Sequence, residues 1–229
     1  MKILIVSATS YEIAPLIQHM DEHAEKQSFF EYSYKSHTVY PLVTGVGALM
    51  TSFAMARYND IKEVTVAINA GVAGSYQVRL PPGTVVEVVR DRFGDLGVEE
   101  ADGSFTDVFS LGLSDKDRYP YQGGWLTNDK AKYRSGLQKV NGLTVNKVHG
   151  SAHSIAQITD LYPADVESME GAGFMYASKV MDLDYHQFRA VSNMVEPRNK
   201  DNWDIPLAID NLNKELITFI DKIIDSHTT

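Results

Sequence analysis

Two glutamates stand three residues apart in the segment DVESMEGAGF, which spans 165–174. Ser168 is a favourable N-cap residue, so the segment predicts a helix that begins near Met169. Glu170 would then lie in the first helical turn, where the positive end of the helix dipole keeps a carboxylate ionised. Such a carboxylate could bind a ligand, but helix stability alone would also explain Glu170.

A pair of histidines is a second candidate group. His149 and His153 are four residues apart in HGSAH, a helical spacing that could hold zinc. No glutamate lies between them, no third ligand is evident and Gly150 indicates a turn, so we do not expect a metal. His153 could instead pack its ring near a ligand, or simply be solvated.

Two glycine-rich turns each follow a predicted strand. They are GVGALM at 45–50 and NAGVAGS at 69–75. Neither is a full dinucleotide fingerprint, and no phosphate loop ending in Gly-Lys-Ser/Thr is present. Tight turns alone would explain either motif. Both nevertheless lie at carboxyl ends of strands, where open α/β sheets bind ligands.

The composition indicates which class of ligand the protein binds and in which cellular compartment we expect it. The chain has 229 residues and a formal net charge of −9, which disfavours nucleic acid and anionic membranes as partners and favours a small molecule. It has no cysteine, which excludes disulfides and cysteine nucleophiles and fits the cytoplasm. No apolar run approaches the roughly 20 residues of a membrane span. The length predicts one domain over 1–229.

Short apolar runs alternate with helical patterns along most of the chain. This alternation predicts an α/β fold with helices on both faces of a sheet. The predicted strands are 2–8, 38–45, 64–71, 83–90, 143–150 and 185–193, and the predicted helices are 10–22, 47–58, 151–160, 169–181 and 206–225.

Residues 91–126 interrupt the alternation. They are rich in glycine, aspartate and aromatic residues. A segment of this length without regular structure is usually functional or a subunit contact. Both a substrate-covering loop and a dimer interface are consistent with the sequence.

Four segments occur in the order and spacing of the nucleoside phosphorylase/nucleosidase superfamily, which the chain resembles over essentially its full length. They are MKILIVSATSYEIAPL, INAGVAGS, VESMEGAGF and FRAVSN. The resemblance implies a single-domain, three-layer α/β/α sandwich with a central mixed sheet. The pieces VESMEG and RAVSNMVEPR are most similar to the branch that hydrolyses futalosine, a nucleoside of the alternative menaquinone route.

The resemblance also implies roles for individual residues. Hydrolysis of an N-glycosidic bond builds positive charge on the ribose and negative charge on the departing base, so the site needs a base for water and hydrogen bonds for the purine. Glu12 stands where the family polarises the attacking water. The remaining implied contacts are Met169 and Glu170 with the ribose, the backbone at Gly71 and Val72 with the ligand, and His153 where the family often has a stacking aromatic residue.

Two departures from the family pattern bear on the reaction. Phosphorylases of the superfamily carry an arginine in the loop after the first strand, but this chain has none between Met1 and Arg57. Without that cation we expect water as the nucleophile, unless an arginine from elsewhere or from a second subunit replaces it. Asn193 stands where adenine-specific members have aspartate. An amide N–H suits the keto oxygen of a 6-oxopurine such as hypoxanthine, although a structural role for Asn193 is the alternative.

The segment that follows, NMVEPRNKDNW, contains Arg198 and Trp203. Futalosine carries a benzoate on its 5′ side, and Arg198 could pair with that carboxylate. A surface arginine in a loop of this composition also needs no function.

Together these features predict an N-ribosyl hydrolase that releases hypoxanthine from futalosine without a cofactor or a metal. We expect a nucleoside as the partner molecule and a homodimer as the assembly. The alternatives are a nucleosidase of the methylthioadenosine/adenosylhomocysteine type, a 6-oxopurine nucleoside phosphorylase and a non-catalytic nucleoside sensor.

Overall fold

The computed structural model describes residues 1–129 and 131–227. The strands are β1 (Lys2–Ser7), β2 (Glu25–Ser28), β3 (Glu31–Tyr34), β4 (His37–Val43), β5 (Val66–Ser75), β6 (Val85–Asp91), β7 (Gly97–Glu99), β8 (Phe105–Asp107), β9 (Leu126–Thr127), β10 (Gln138–Thr144), β11 (Val166–Ser168) and β12 (Tyr185–Met194). The helices are α1 (Ala14–His23), α2 (Ala48–Arg57), α3 (Ala152–Leu161), α4 (Gly171–Val180) and α5 (Ile205–His227).

A mixed sheet forms the centre of the molecule. Over the described residues it has ten strands, in the order β11-β10-β6-β12-β5-β1-β4-β3-β2 with β9 on β6. Strands β4, β1, β5 and β12 are parallel, so their carboxyl ends lie along one edge. β11 also pairs antiparallel with the end of β5, through Val166 with Ser75 and Glu167 with Gly74. The chain after β11 therefore runs back along β5 toward Gly71.

Helices cover both faces of this sheet, because neighbouring strand residues point to opposite sides. Ile3 and Ile5 of β1 belong to one buried cluster with residues of α1 and α5, whereas Leu4 and Val6 belong to another with residues of α2 and α4. Both faces of the central strands are apolar for this reason. The three-layer arrangement with a mixed sheet confirms the predicted fold class.

Helices α2 and α4 pack closely because α4 begins with small residues. A Cβ added to Gly173 would lie 2.4 Å from the carbonyl oxygen of Ala48. Ser52 Oγ of α2 donates to the Gly173 carbonyl oxygen at 2.9 Å. The small residues after Glu170 thus allow the GVG turn, which precedes α2, to lie next to that glutamate.

Two predicted boundaries are wrong near the candidate site. Helix α4 begins at Gly171 with Glu170 as its N-cap residue, and Ser168 belongs to β11 instead of capping the helix. The strand predicted at 143–150 is β10, which ends at Thr144, so 145–150 are irregular. Strand β11 pairs with both β10 and β5. This pairing between distant segments, and not the local sequence preference, determines where the strand and the helix begin and end.

The segment 91–126 contains the β7–β8 hairpin and otherwise consists mostly of turns. Its role as a substrate cover or a dimer contact stays a prediction. Among the described helices, none combines the length and apolar character needed to cross a membrane.

Candidate active site

The candidate site lies at the carboxyl edge of the parallel strands. Glu12 follows β1, Gly71 lies on β5 and Asn193 lies near the end of β12. Glu170 comes from the opposite direction, since β11 runs antiparallel to β5. The topology therefore gathers residues that are far apart in sequence around one stretch of β5.

The carboxylate of Glu12 is buried and fixed by donors from two elements. Its Oε2 accepts from the Thr9 amide at 3.0 Å, from Thr9 Oγ1 at 2.9 Å and from Ser7 Oγ at 3.3 Å. Its Oε1 accepts from the Val72 amide at 3.1 Å. These contacts hold the carboxylate against β5, so its orientation does not depend on a ligand.

The absence of a side chain at Gly71 allows the Glu12 carboxylate to lie directly against β5. A Cβ at this position would lie 2.9 Å from Glu12 Oε1, closer than real Cβ atoms come to their neighbours. Only the bare backbone leaves room for the carboxylate beside the strand. Gly71 and Val72 thus contact Glu12 directly, and the Val72 amide is already in use as its donor.

Glu170 lies nearby and is also buried. Its Oε1 accepts a hydrogen bond from the Gly47 amide at 3.0 Å, and Gly47 has a φ of +106°. Burial raises the pKa of Glu170, while the charge of Arg189 and the Gly47 amide lower it and the charge of Glu12 raises it. The sequence predicted that the helix dipole would keep Glu170 ionised, but burial has the larger effect and raises its pKa. Met169, the preceding residue, is half-buried.

Arg189 completes this group and was not predicted from the sequence. Its side chain is only 1% exposed and donates to Asn69 Oδ1 and to the Phe188 carbonyl oxygen. Burial lowers the pKa of Arg189, and the charges of Glu170, Glu12 and Asp91 raise it. One cation thus compensates several buried carboxylates. The sequence did contain one indication of a functional role for this residue, because an arginine is unusual inside an apolar strand sequence such as FRAV.

Asp91 is a second residue that the sequence analysis missed. It is fully buried and accepts from Thr144 Oγ1 and from Gln187 Nε2, each at 2.9 Å. Burial raises the pKa of Asp91 to about 6, although these hydrogen bonds lower it. Thr144 Oγ1 accepts from the Ala172 amide at 2.7 Å. Asp91 is thereby linked to the start of α4, directly after Glu170.

A cavity lies further along β5 and β12. It brings together three of the predicted residues, Asn193, Arg198 and Trp203. The other lining residues are Gly74, Val148, His149, Glu167, Met194, Val195 and Glu196. Gly74 pairs with Asn193, whereas Gly71 pairs with Arg189. Three residues of a strand separate the two ends of the site by roughly 10 Å.

The amide of Asn193 is held by its neighbours. Its Oδ1 accepts from Ser192 Oγ and its Nδ2 donates to the Met194 carbonyl oxygen, both at 2.8 Å. An amide nitrogen carries two hydrogens, so one N–H of Asn193 remains for a ligand. The structural and the ligand-binding interpretations are therefore compatible.

Arg198 is exposed at the mouth of this cavity. Its guanidinium lies 5.1 Å from the ring centre of Trp203, and its amide donates to the Gly150 carbonyl oxygen at 3.1 Å. Within the described residues Arg198 forms no ion pair with a carboxylate. The structure places its charge beside Asn193, on the side away from the carboxylates near Gly71.

The two histidines do not form a pair. His149 precedes α3 and contacts Glu167, whereas His153 is exposed on the first turn of α3 and does not line the cavity. No cluster of three or more metal-ligating side chains occurs in the described part of the chain. The role predicted for His153 stays untested, and His149 is the histidine that lies beside Asn193.

The chain is similar to several known proteins. The model of the phosphorylase superfamily matches residues 2–225. A futalosine hydrolase of Streptomyces coelicolor is 32% identical over 174 residues, covering 73% of this chain and 72% of that protein. A futalosine hydrolase of Thermus thermophilus is 30% identical over 167 residues, covering 71% and 72%. Among solved structures, a 5′-methylthioadenosine/S-adenosylhomocysteine nucleosidase of Neisseria meningitidis has the same fold, with a TM-score of 0.78, 18% identity and coverage of 96% and 99%.

Proposed function

Since this chain belongs to the phosphorylase superfamily and, within it, to the futalosine hydrolases, we propose that it hydrolyses the N-glycosidic bond of futalosine and releases hypoxanthine. The observation that carries the proposal is the arrangement along β5 and β12. Buried Glu12 and Glu170 lie at one end, and the cavity around Asn193 lies at the other. This spacing fits a ribose at the carboxylates and a purine in the cavity.

Water is the proposed nucleophile. The loop between β1 and α1 has no arginine, and the carboxylate of Glu12, the last residue but one before α1, lies against β5. Arg189 is close to that carboxylate, but its side chain is only 1% exposed and its terminal nitrogens donate to the Phe188 carbonyl oxygen and to Asn69, which disfavours its use for binding a phosphate dianion. A fixed carboxylate without a free cation suits the activation of water better than the binding of phosphate.

Each charged or polar side chain of the site has one role in the proposed reaction. Glu12 accepts a proton from water as the water oxygen bonds to the anomeric carbon. Glu170 accepts hydrogen bonds from ribose hydroxyls and lies near the positive charge that develops on the sugar. The positive charge of Arg189 acts against the rise in the pKa of Glu170 that burial and the charge of Glu12 cause. The free N–H of Asn193 donates to the keto oxygen of the departing purine.

We also propose a cytoplasmic homodimer. The GVG turn and α2 expose Val46, Leu49, Met50 and Phe53, which share the spacing of one helix face; Leu49 is 74% and Phe53 is 60% exposed. An apolar face of this kind marks a contact surface. Leu49→Asp should convert the dimer to a monomer in light scattering, whereas Val78→Asp, at another exposed apolar residue, should not. A monomeric wild-type protein would contradict the proposal.

One experiment tests the function itself. The protein is incubated with futalosine, inosine and methylthioadenosine, each with and without phosphate, and the released base is identified by chromatography. We expect hypoxanthine from futalosine at a rate that does not depend on phosphate. Release of adenine alone would indicate the methylthioadenosine type of nucleosidase, and a requirement for phosphate would indicate a phosphorylase. Binding without any product would indicate a sensor.

A further inference from the structure

Breaking the glycosidic bond leaves an electron pair on the purine, and a proton must neutralise it. Asn193 can donate a hydrogen bond, but its amide cannot transfer a proton at neutral pH. Where related enzymes have aspartate, this chain therefore lacks an acid. If the proposed function is correct, another group that lines the cavity must supply the proton.

His149 is the one imidazole that lines this cavity among the described residues. Its Nδ1 contacts Glu167 Oε2, and its backbone amide donates to Glu167 Oε1 at 3.0 Å. Glu167 is buried and also accepts from the Tyr76 hydroxyl. Because Nδ1 is directed at a carboxylate, Nε2 is the ring nitrogen left for a ligand.

The pairing of strands in the sheet determines where His149 and Glu167 lie. Glu167 lies on β11 and pairs with Gly74 of β5, which in turn pairs with Asn193 of β12. The three strands thus place Glu167, and through it His149, at the same level as Asn193. The carboxylate contacts Nδ1 and accepts from the backbone amide of the same residue, so it fixes the orientation of the imidazole.

We infer that His149 is the general acid that protonates the departing purine. As the bond between the anomeric carbon and the purine nitrogen breaks, the electron pair moves onto the purine and Nε2 of His149 transfers its proton to a purine nitrogen. The water oxygen bonds to the anomeric carbon and Glu12 takes the water proton. Proton exchange with solvent then returns Glu12 and His149 to their starting states, and the sum is futalosine plus water giving hypoxanthine and the free sugar.

The test compares two leaving groups. Futalosine needs a proton on its base, whereas the nitrophenolate of 4-nitrophenyl β-D-ribofuranoside departs without one. We expect His149→Gln to lower kcat on futalosine about 100-fold or more with little change in KM, and to leave hydrolysis of the nitrophenyl riboside nearly unchanged. Glu12→Gln should impair both substrates, because each needs activated water. His23→Gln, at an exposed histidine on α1, serves as the matched control.

If the nitrophenyl riboside is a poor substrate of the wild-type protein, a second variant tests whether His149 acts as the proton donor. His149→Ala leaves space for an imidazole molecule, so added imidazole should restore futalosine hydrolysis in a saturable manner. Equal losses of His149→Gln on both substrates, no loss on either, or no recovery with imidazole would overturn the inference. Hydrolysis of futalosine by the wild-type protein would still support the proposed function in those cases.

Discussion

The amide of Gly47 donates to Glu170 Oε1 at 3.0 Å, although the two residues are 123 positions apart. The bond joins the turn before α2 to the start of α4. It directs the carboxylate of Glu170 toward the place where the ribose is proposed to bind. Gly47 has a φ of +106°, which an L-amino acid rarely adopts.

Gly47→Ala should therefore weaken ribose binding. The added methyl group meets no atom within 4 Å, so the expected cost comes from the backbone conformation, about 1–3 kcal/mol. The turn will shift to relieve this strain and the amide will move away from Glu170. We expect KM for futalosine to rise several-fold. Gly103→Ala is the matched control, because Gly103 also has a positive φ and open space but lies far from Glu170 in the β7–β8 turn. Equal effects of the two variants on KM would contradict this interpretation.

Asn193→Asp should shift the preference toward 6-aminopurines. The new carboxylate still accepts from Ser192 Oγ but loses the N–H that is proposed to donate to a keto oxygen. Mismatched hydrogen bonds in a closed site cost about 10-fold or more in selectivity. The measurement is the ratio of kcat/KM for inosine and adenosine. Asn199→Asp, in the exposed loop that follows, should leave the ratio unchanged. An unaltered ratio in Asn193→Asp would mean that Asn193 serves only its own neighbours.

Arg198→Met distinguishes two contacts for that cation. If Arg198 pairs with the 5′ carboxylate, KM should rise about 10-fold or more for futalosine and not for inosine, which has no such group. If it contacts the purine beside Asn193, both substrates should be affected equally. Lys200→Met removes a neighbouring positive charge and controls for long-range attraction. No change in either KM would show that the stack of Arg198 on Trp203 has no part in binding.

Asp91→Asn should change how stability depends on pH. The pKa of Asp91 is raised to about 6 in the folded protein from an unfolded value of 3.8, so the folded state holds more protons between these values. Asp91 therefore lowers the free energy of unfolding as pH rises from about 4 to about 6, by up to roughly 3 kcal/mol. The substitution removes this decline, and Gln187 Oε1, which has no partner within the described residues, can accept from the new amide.

The measurement is urea unfolding at pH 4.5 and pH 7.5. We expect the variant to gain stability relative to the wild type at the higher pH. Asp182→Asn, on an exposed turn, provides a comparison for general charge effects. Parallel stability curves for the wild type and Asp91→Asn would mean that the buried carboxylate does not titrate in this range.

Much of the sheet could be predicted because its central strands are buried on both faces. The runs at β1 and β5 are nearly continuous in apolar residues, whereas β6 and β12 include several polar residues; the structure confirms all four strands within a few positions. The hairpin formed by β2 and β3 was not predicted, since the sequence EKQS of β2 is polar throughout; all four of its residues are exposed. The single-domain organisation stays a prediction.

Residues of the candidate site could be predicted only where a single short motif resembles the family. Glu12, Met169 and Glu170 belong to segments that resemble the family. Arg189 and Asp91 depend on contacts between strands about a hundred residues apart, which no local pattern reveals. His149 was considered only as a metal ligand, because its partner Glu167 becomes its neighbour through the pairing of β11 with β5.

Strand β5 carries Gly71 beside Glu12 and Gly74 beside Asn193, so its backbone fixes the distance between the proposed water-activating group and the proposed base-binding group. A bicyclic base reaches further from the anomeric carbon than the single ring of uridine or cytidine does. We expect pyrimidine nucleosides to be rejected for their length, even when their keto groups match those of hypoxanthine.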